Sequence, residues 1–272
     1  MKKKTFYLLC FCICIFLPLY ISSGLCTVNN QFHYGFNEAK SIRVMTFNIR
    51  GARNEKGEVN LSAVAEQIKK MDPDIIALQE VDFRLPRSHF QNQTKILGEL
   101  LQMNYLFVPN QNFLIGSYGN AIFSKFPITD FDRHLLPSSI ENRGVLRAQI
   151  HTGTQPIDVY ATHLGLNSKE IARQISSIAT TMSLKNGPKL LLGDFNSKPV
   201  EIALQSIRSL YIDPIYERKM DIVTYQHHSR KTQLDYIFYT DDFLFEDAFT
   251  EVSHISDHYP LMYSLFFNLP NK

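Results

Sequence analysis

The chain has 272 residues, 44% of them hydrophobic and 20% charged, with a formal net charge of +2. That composition excludes a disordered or low-complexity chain and allows one large domain or two small ones. Lys2, Lys3 and Lys4 supply the excess, and without them +2 becomes −1. A nearly neutral body argues against a dedicated nucleic-acid binder, which ordinarily carries a basic excess.

The N-terminus reads "MKKKTFYLLCFCICIFLPLYISSGLC". A basic head, an uncharged apolar core over residues 6–21 and small residues after it form the pattern of a secretory signal. Ser22 and Gly24 suit the −3 and −1 positions of a cleavage site. The other reading is a retained membrane anchor. As a helix the apolar core spans about 24 Å, against a hydrocarbon thickness of roughly 30 Å, although flanking uncharged residues extend it. Leu25 stands where a lipid-modified Cys26 would need a small residue. Either way residues 1–26 imply export. Cys10, Cys12, Cys14 and Cys26 all fall in this segment, so the body has no internal disulfide and no thiolate cage for zinc.

Residues 27–40 are polar and read as a linker, followed by one domain over 41–268. "IRVMTFNI" (42–49) reads as a strand. "NLSAVAEQIKKM" (60–71) has helical spacing with Asn60 as N-cap. "DIIALQEV" (74–81) is a buried strand and "TKILGELLQM" (94–103) a helix. "NAIFSKF" (120–126) is a strand ended by Pro127. "LRAQIHT" (146–152) and "IDVYATHL" (157–164) are strands separated by a turn at Gly153. "NSKEIARQISSIATTM" (167–182) is a helix, with Asn167 and Glu170 resembling a capping box. "KLLLGDF" (189–195) is a strand buried on both faces, and Pro199 is expected to open another helix. "LDYIFY" (234–239) and "HYPLMYSLFF" (258–267) are the last strands. Strands and helices in this mixed order predict two packed sheets with helices outside.

Polar, metal-competent side chains recur at the ends of these runs. Asn48 follows "VMTF", Glu80 follows "IIALQ", and His163 follows "VYAT". Asp194 and Asn196 follow "LLLG"; residues two apart in an extended segment face the same side. Asp235 heads "DYIFY", and Asp257 and His258 form "SDH". Each alone has a bland explanation, because polar residues at strand ends cap helices or satisfy turns. Together they form a chemically complete set. Glu80 is a hard oxygen ligand for Mg²⁺ or Mn²⁺. The carboxylates and His258 can move protons, and the amides can hold a phosphoryl oxygen.

The ordered set "TFNIR", "ALQEVD", "GNAIFSKFPI", "ATHL", "LLGDFNSKP", "LDYIF" and "SDHYPL" resembles the endonuclease/exonuclease/phosphatase, or DNase I-like, superfamily. The resemblance implies an α/β fold, a four-layer α/β/β/α sandwich with the active site where the strand ends of both mixed sheets meet. It implies that Glu80 binds a catalytic Mg²⁺ or Mn²⁺, with Asn48 close by and Asp257 assisting. His258 would be the catalytic histidine, oriented by Asp235, and His163 would contact the scissile phosphate. Asp194 would activate water or assist the leaving group, and Asn196 would bind phosphate oxygens. Asn120 and Arg147 are further candidates for substrate binding. Arg143 and Arg147, in "NRGVLRA", either grip a second anionic group or lie on the sheet surface.

"QEVDFRLPRS", "YGNAIFSKFPI", "RGVLRA" and "THLGLNSKEIARQ" look most like exported bacterial members, which are similar to the phosphodiesterase-like domain of GPI-anchor lipid remodelling proteins. The expected function is an exported metal-dependent phosphodiesterase, with a phospholipid or its head group as substrate. It is expected to act as a monomer and to touch the membrane through its N-terminal segment. A secreted nuclease is the second reading, less favoured by the neutral body. A non-catalytic binding module on the same fold would show losses in the catalytic set, and none is seen.

Overall fold

The computed structural model describes residues 26–32, 41–153 and 155–268. The signal or anchor over residues 1–26 lies outside them, apart from Cys26. Two sheets pack face to face. The larger runs in the order β1 (Thr27–Asn29), β4 (Asn104–Asn112), β5 (Ser117–Ser124), β3 (Ile75–Phe83), β2 (Ser41–Asn48), β14 (Leu261–Phe267) and β13 (Phe243–Thr250). The smaller runs β12 (Asp235–Tyr239), β9 (Lys189–Asp194), β8 (Pro156–His163), β7 (Arg143–His151) and β6 (Ile128–Leu136). A small hairpin, β10 (Tyr225–His227) and β11 (Arg230–Thr232), forms its own two-stranded sheet and bridges to His258 through Tyr225.

The alternation of side chains along a strand explains the layers. In β2, Ile42 and Val44 point into the core between the sheets, while Met45 and Phe47 point outward. Those outward residues meet α1 (Leu61–Met71) and α2 (Gln93–Leu101) through Val64, Ile68 and Leu97. In β9, Leu190 and Leu192 join the inter-sheet core. Leu191 faces α3 (Ser168–Ser183) and α4 (Ile202–Arg208) through Ile175, Ile178 and Leu204. The "LLL" run is therefore buried on both faces, and the result is the expected α/β/β/α sandwich of two mixed sheets. Asn60 and Asn167 cap α1 and α3, accepting from Ala63 N–H and from the N–H groups of Lys169 and Glu170.

Several expectations need correction. Residues 27–29 are not linker: they pair with Leu106 and its neighbours as an edge strand. The Glu170 carboxylate does not complete a capping box; it accepts from Ser139 Oγ at 2.7 Å and Gln174 Nε2 at 3.1 Å instead. Pro199 precedes α4, which starts at Ile202 after Glu201. A short fifth helix, α5 (Pro214–Glu217), lies beyond α4. Strands β4, β6, β10, β11 and β13 were not foreseen.

Candidate active site

Strand pairing assembles the site. β8 runs parallel to β9 with His163 opposite Asp194, and β12 runs antiparallel with Asp235 opposite the same Asp194. In the other sheet β2 and β3 are parallel, so Asn48 ends beside Gln79, next to Glu80. Glu80 sits in a break of the β3–β5 register with φ of 55°, which swings it out of the strand's alternation. Asn48 joins the two sheets, donating through Nδ2 to Asp194 Oδ2 at 3.0 Å and to Glu80 Oε1 at 3.3 Å. The segment after β13 brings in His258, whose backbone N–H donates to Ser256 Oγ while that hydroxyl donates to the Asn48 carbonyl.

The side chains form one connected group. His258 Nδ1 lies 2.9 Å from Asp235 Oδ2, and its Nε2 lies 3.5 Å from Asp194 Oδ2. His163 Nε2 lies 3.4 Å from the same Asp194 oxygen and 3.2 Å from Asn196 Nδ2. Asn196 donates from Nδ2 to the Leu164 carbonyl and from its backbone to Asp194 Oδ1. The Tyr225 ring meets the His258 ring edge-on at 4.9 Å. Asn48, His163, Asp194, Asp235 and His258 are all buried.

Burial and charge divide the roles. Burial disfavours a charge on His258, but the Asp235 and Asp194 carboxylates outweigh it and raise the ring to about 10. The ring is therefore an imidazolium at neutral pH. Burial lifts the Asp194 carboxyl to about 6, against the pull of the His258 charge. His163 goes the other way: burial, then the charges of Arg143 and His258, hold it well below its ordinary value, and it stays neutral. Two histidines beside one carboxylate thus take opposite charge states.

Two groupings offer metal ligands. Asp194, Asp235 and His258 present ligand atoms within 4.8 Å of one another. Within that trio the ring Nδ1 is already engaged by Asp235, an arrangement that suits proton movement at Nε2. Glu80 and Asp257 line the open cleft and offer hard carboxylate oxygens of the kind a divalent cation takes, with Asn48 beside them, its Nδ2 turned to Glu80 and its Oδ1 to the Arg50 N–H. The cleft has a volume of about 290 Å³ and is also lined by Asp194, Asn196, His163 and His258.

Two candidates lie elsewhere. Arg147 is buried against β8 and β6, not in the cleft. Its Nε donates to Asp158 Oδ1 at 2.9 Å, and its Nη1 to Asp132 and Asp130 at 2.7 and 2.9 Å. Three carboxylates consume the guanidinium, leaving nothing for a substrate. Asn120 is buried between the sheets, its Nδ2 directed to the carbonyls of Gly144 and Ala161, and it does not line the cleft. Arg143 does line the cleft, paired with Glu141 at 3.2 Å. Sequence reasoning missed Arg50, Arg53, Arg87, Tyr118 and Glu141 as cleft walls. The signal for the first two was the spacing in "NIRGAR", directly after Asn48.

Residues 45–258 match the model of the Endonuclease/Exonuclease/phosphatase family. The chain belongs to this family. Its members are hydrolases of phosphoester bonds, which suits a cleft of this chemistry. YbhP of Escherichia coli (strain K12) is 29% identical over 170 residues, 57% of this chain and 67% of that protein. Protein cwh43 of Schizosaccharomyces pombe is 25% identical over 174 residues, 60% of this chain but 17% of that much longer protein. The crystal structure of an endonuclease/exonuclease/phosphatase from Beutenbergia cavernae shares the fold with a TM-score of 0.71 at 20% identity, covering 84% of this chain and 72% of that one.

Proposed function

We propose that this family member is an exported, divalent-metal-dependent phosphodiesterase whose substrate is a phospholipid or its head group. The observation that carries the reading is the chain Asp235–His258–Asp194, with His163, Asn196 and Glu80 around the same cleft. Asp235 accepts from the Nδ1–H of His258, which fixes the ring and supports its charge. The imidazolium Nε2–H then faces the phosphoryl oxygens and stabilises the charge that grows there. Asp194, ionised above pH about 6, takes one proton of the attacking water as the water oxygen bonds to phosphorus; the bond from phosphorus to the leaving oxygen breaks, and that oxygen departs as an alkoxide that takes a proton from solvent. Neutral His163 and the Asn196 amide hold the phosphate without repelling the water. Glu80, with Asn48 and Asp257 beside it in the cleft, would hold a divalent cation, which would supply neutralisation of the phosphate charge.

Export rests on the N-terminal pattern, and the lipid preference on the resemblance to lipid-remodelling relatives and the near-neutral body. The test is a parallel assay of the purified protein on phosphatidylinositol, sphingomyelin, lysophospholipid and plasmid DNA, each in Mg²⁺, Mn²⁺ and EDTA. Lipid hydrolysis lost in EDTA supports the reading. Plasmid cleavage alone would make the protein a secreted nuclease.

A further inference from the structure

Four arginines line the cleft, and they are not equivalent. Arg143 is paired with Glu141. Arg87 is gripped by the buried Asp82 through two bonds, Nε to Oδ2 at 3.0 Å and Nη2 to Oδ1 at 2.7 Å. Arg50 and Arg53 have no ion pair and no side-chain hydrogen bond among the described residues. The Nε of Arg53 is moreover buried without any partner. An unpaired donor on a charged, partly buried group is costly to leave unmade. Burial, followed by the neighbouring charge of Arg87, pulls the Arg53 guanidinium below its ordinary value, and Arg50 adds to the repulsion.

The backbone holds these side chains here against its own preference. Arg50, Gly51 and Ala52 are consecutive left-handed residues, with φ of 50°, 67° and 56°. Only glycine adopts that region without strain. Asn48 Oδ1 accepts the Arg50 N–H at 3.0 Å, and Gln93 Nε2 donates to the Gly51 carbonyl at 2.7 Å. A Cβ on Gly51 would lie 3.1 Å from Asp82 Oδ2 and 3.2 Å from Arg53 Nε, so the turn passes between the anchor of Arg87 and the side chain of Arg53. Strain of this kind persists where surrounding structure fixes it, and it clusters at ligand clamps.

We propose that Arg50, Arg53 and Arg87 form a subsite for a second phosphate, carried by the substrate beside the phosphoester that is cleaved. This rests on the phosphodiesterase reading and deepens it: the substrate class becomes a phosphoester with an additional phosphate. Guanidinium groups bind phosphate through paired N–H donors, and Arg87 is already oriented by Asp82. Arg53 and Arg87 feel the charge of Glu80 and Arg50 that of Tyr225, so the subsite borders the same cleft as the scissile group and takes the anion next to it.

The test compares two ligands that cannot be hydrolysed, methylphosphonate and propane-1,3-bisphosphonate, by isothermal titration in Mg²⁺ buffer. The wild-type protein should bind the bisphosphonate at least about tenfold more tightly, the gain of one charge-assisted contact. In Arg53→Gln, and separately in Arg50→Gln, that advantage should shrink to about threefold or less, with melting temperatures close to wild type. No preference in the wild type, an undiminished preference in both variants, or equal weakening of both ligands would overturn the subsite. The equal weakening would mean that these arginines hold the scissile phosphate itself. Hydrolysis of phosphodiesters is measured alongside. Its absence with the preference intact would overturn the phosphodiesterase reading and leave the subsite standing.

Discussion

His258 owes its charge to Asp235 and Asp194, and the two carboxylates have different duties. Asp235 touches the Nδ1 side at 2.9 Å and is buried, so removing its charge should alter the ring without exposing it. His258→Ala should lower turnover on the order of a thousandfold, the scale of losing proton transfer together with charge stabilisation. Asp235→Asn should cost less. The double variant should cost little more than His258→Ala, because groups acting as one unit are strongly non-additive. Steady-state kinetics with thermal melts check this; fully multiplicative losses would contradict it. Activity should also rise through pH about 6 as Asp194 ionises and fall near pH 10 as His258 loses its proton. The stability sign follows from the raised histidine value: the contribution is present below its ordinary 6.5 and is lost as pH climbs through about 10. Titrating the ring proton signals by NMR should show His258 falling in Asp235→Asn, while His163 stays neutral throughout. Most of this cluster was legible in the sequence, because each member ends or heads an apolar strand. Arg147 and Asn120 misled because a polar residue within a strand looks alike whether it meets a substrate or another strand. Arg147 sits opposite Tyr160 and Asp132, where local carboxylates claim it.

Strands and turns set the spacing of these side chains. Gly193 stands between Leu192 and Asp194 because a Cβ there would lie 2.2 Å from the Thr162 carbonyl oxygen, in the neighbouring strand β8. Gly193→Ala must push β8 and β9 apart, and with them His163 and Asp194. It should lower both melting temperature and turnover, and an unchanged enzyme would show that the spacing is not critical. Arg147→Met is the contrasting case. It strands the buried Asp158 and should cost about 3 kcal/mol or more by chemical denaturation, as breaking a buried pair does. Turnover measured on the folded fraction should hold. The central strands were legible because their apolar runs are continuous or alternate. β6 and β13 were not: both are edge strands with mostly exposed, charged faces, "ITDFDRHLL" and "FLFEDAFT". Such composition protects an edge from further pairing and hides it from a hydrophobic pattern. β4 was obscured by Pro109 and its Asn-rich end.

At the scale of the whole molecule, two sheets meet so that the ends of β2 and β3 face those of β8 and β9, and chemistry sits on the seam. Rigid placement of this kind can supply roughly 7–11 kcal/mol of barrier reduction through orientation alone. The helices outside cover the apolar faces and leave that edge open. The proposed export rests on the basic, apolar N-terminus and has a direct check. Mass spectrometry of the protein purified from its native cell should find the chain either starting after Gly24 or retaining residues 1–26 in the membrane fraction. A full-length soluble cytoplasmic protein would contradict export. The proposed function stands or falls on metal-assisted hydrolysis of a phosphodiester at the Asp194–His258 cleft. The most direct measurement is release of 4-nitrophenol from bis(4-nitrophenyl) phosphate, compared in Mg²⁺, in EDTA and in EDTA followed by excess Mg²⁺, for wild type and for Glu80→Gln. Activity should vanish in EDTA and return with Mg²⁺, and Glu80→Gln should need far more metal to reach a much lower rate. Full activity after exhaustive chelation, or a Glu80→Gln protein with normal rate and normal metal requirement, would contradict the account.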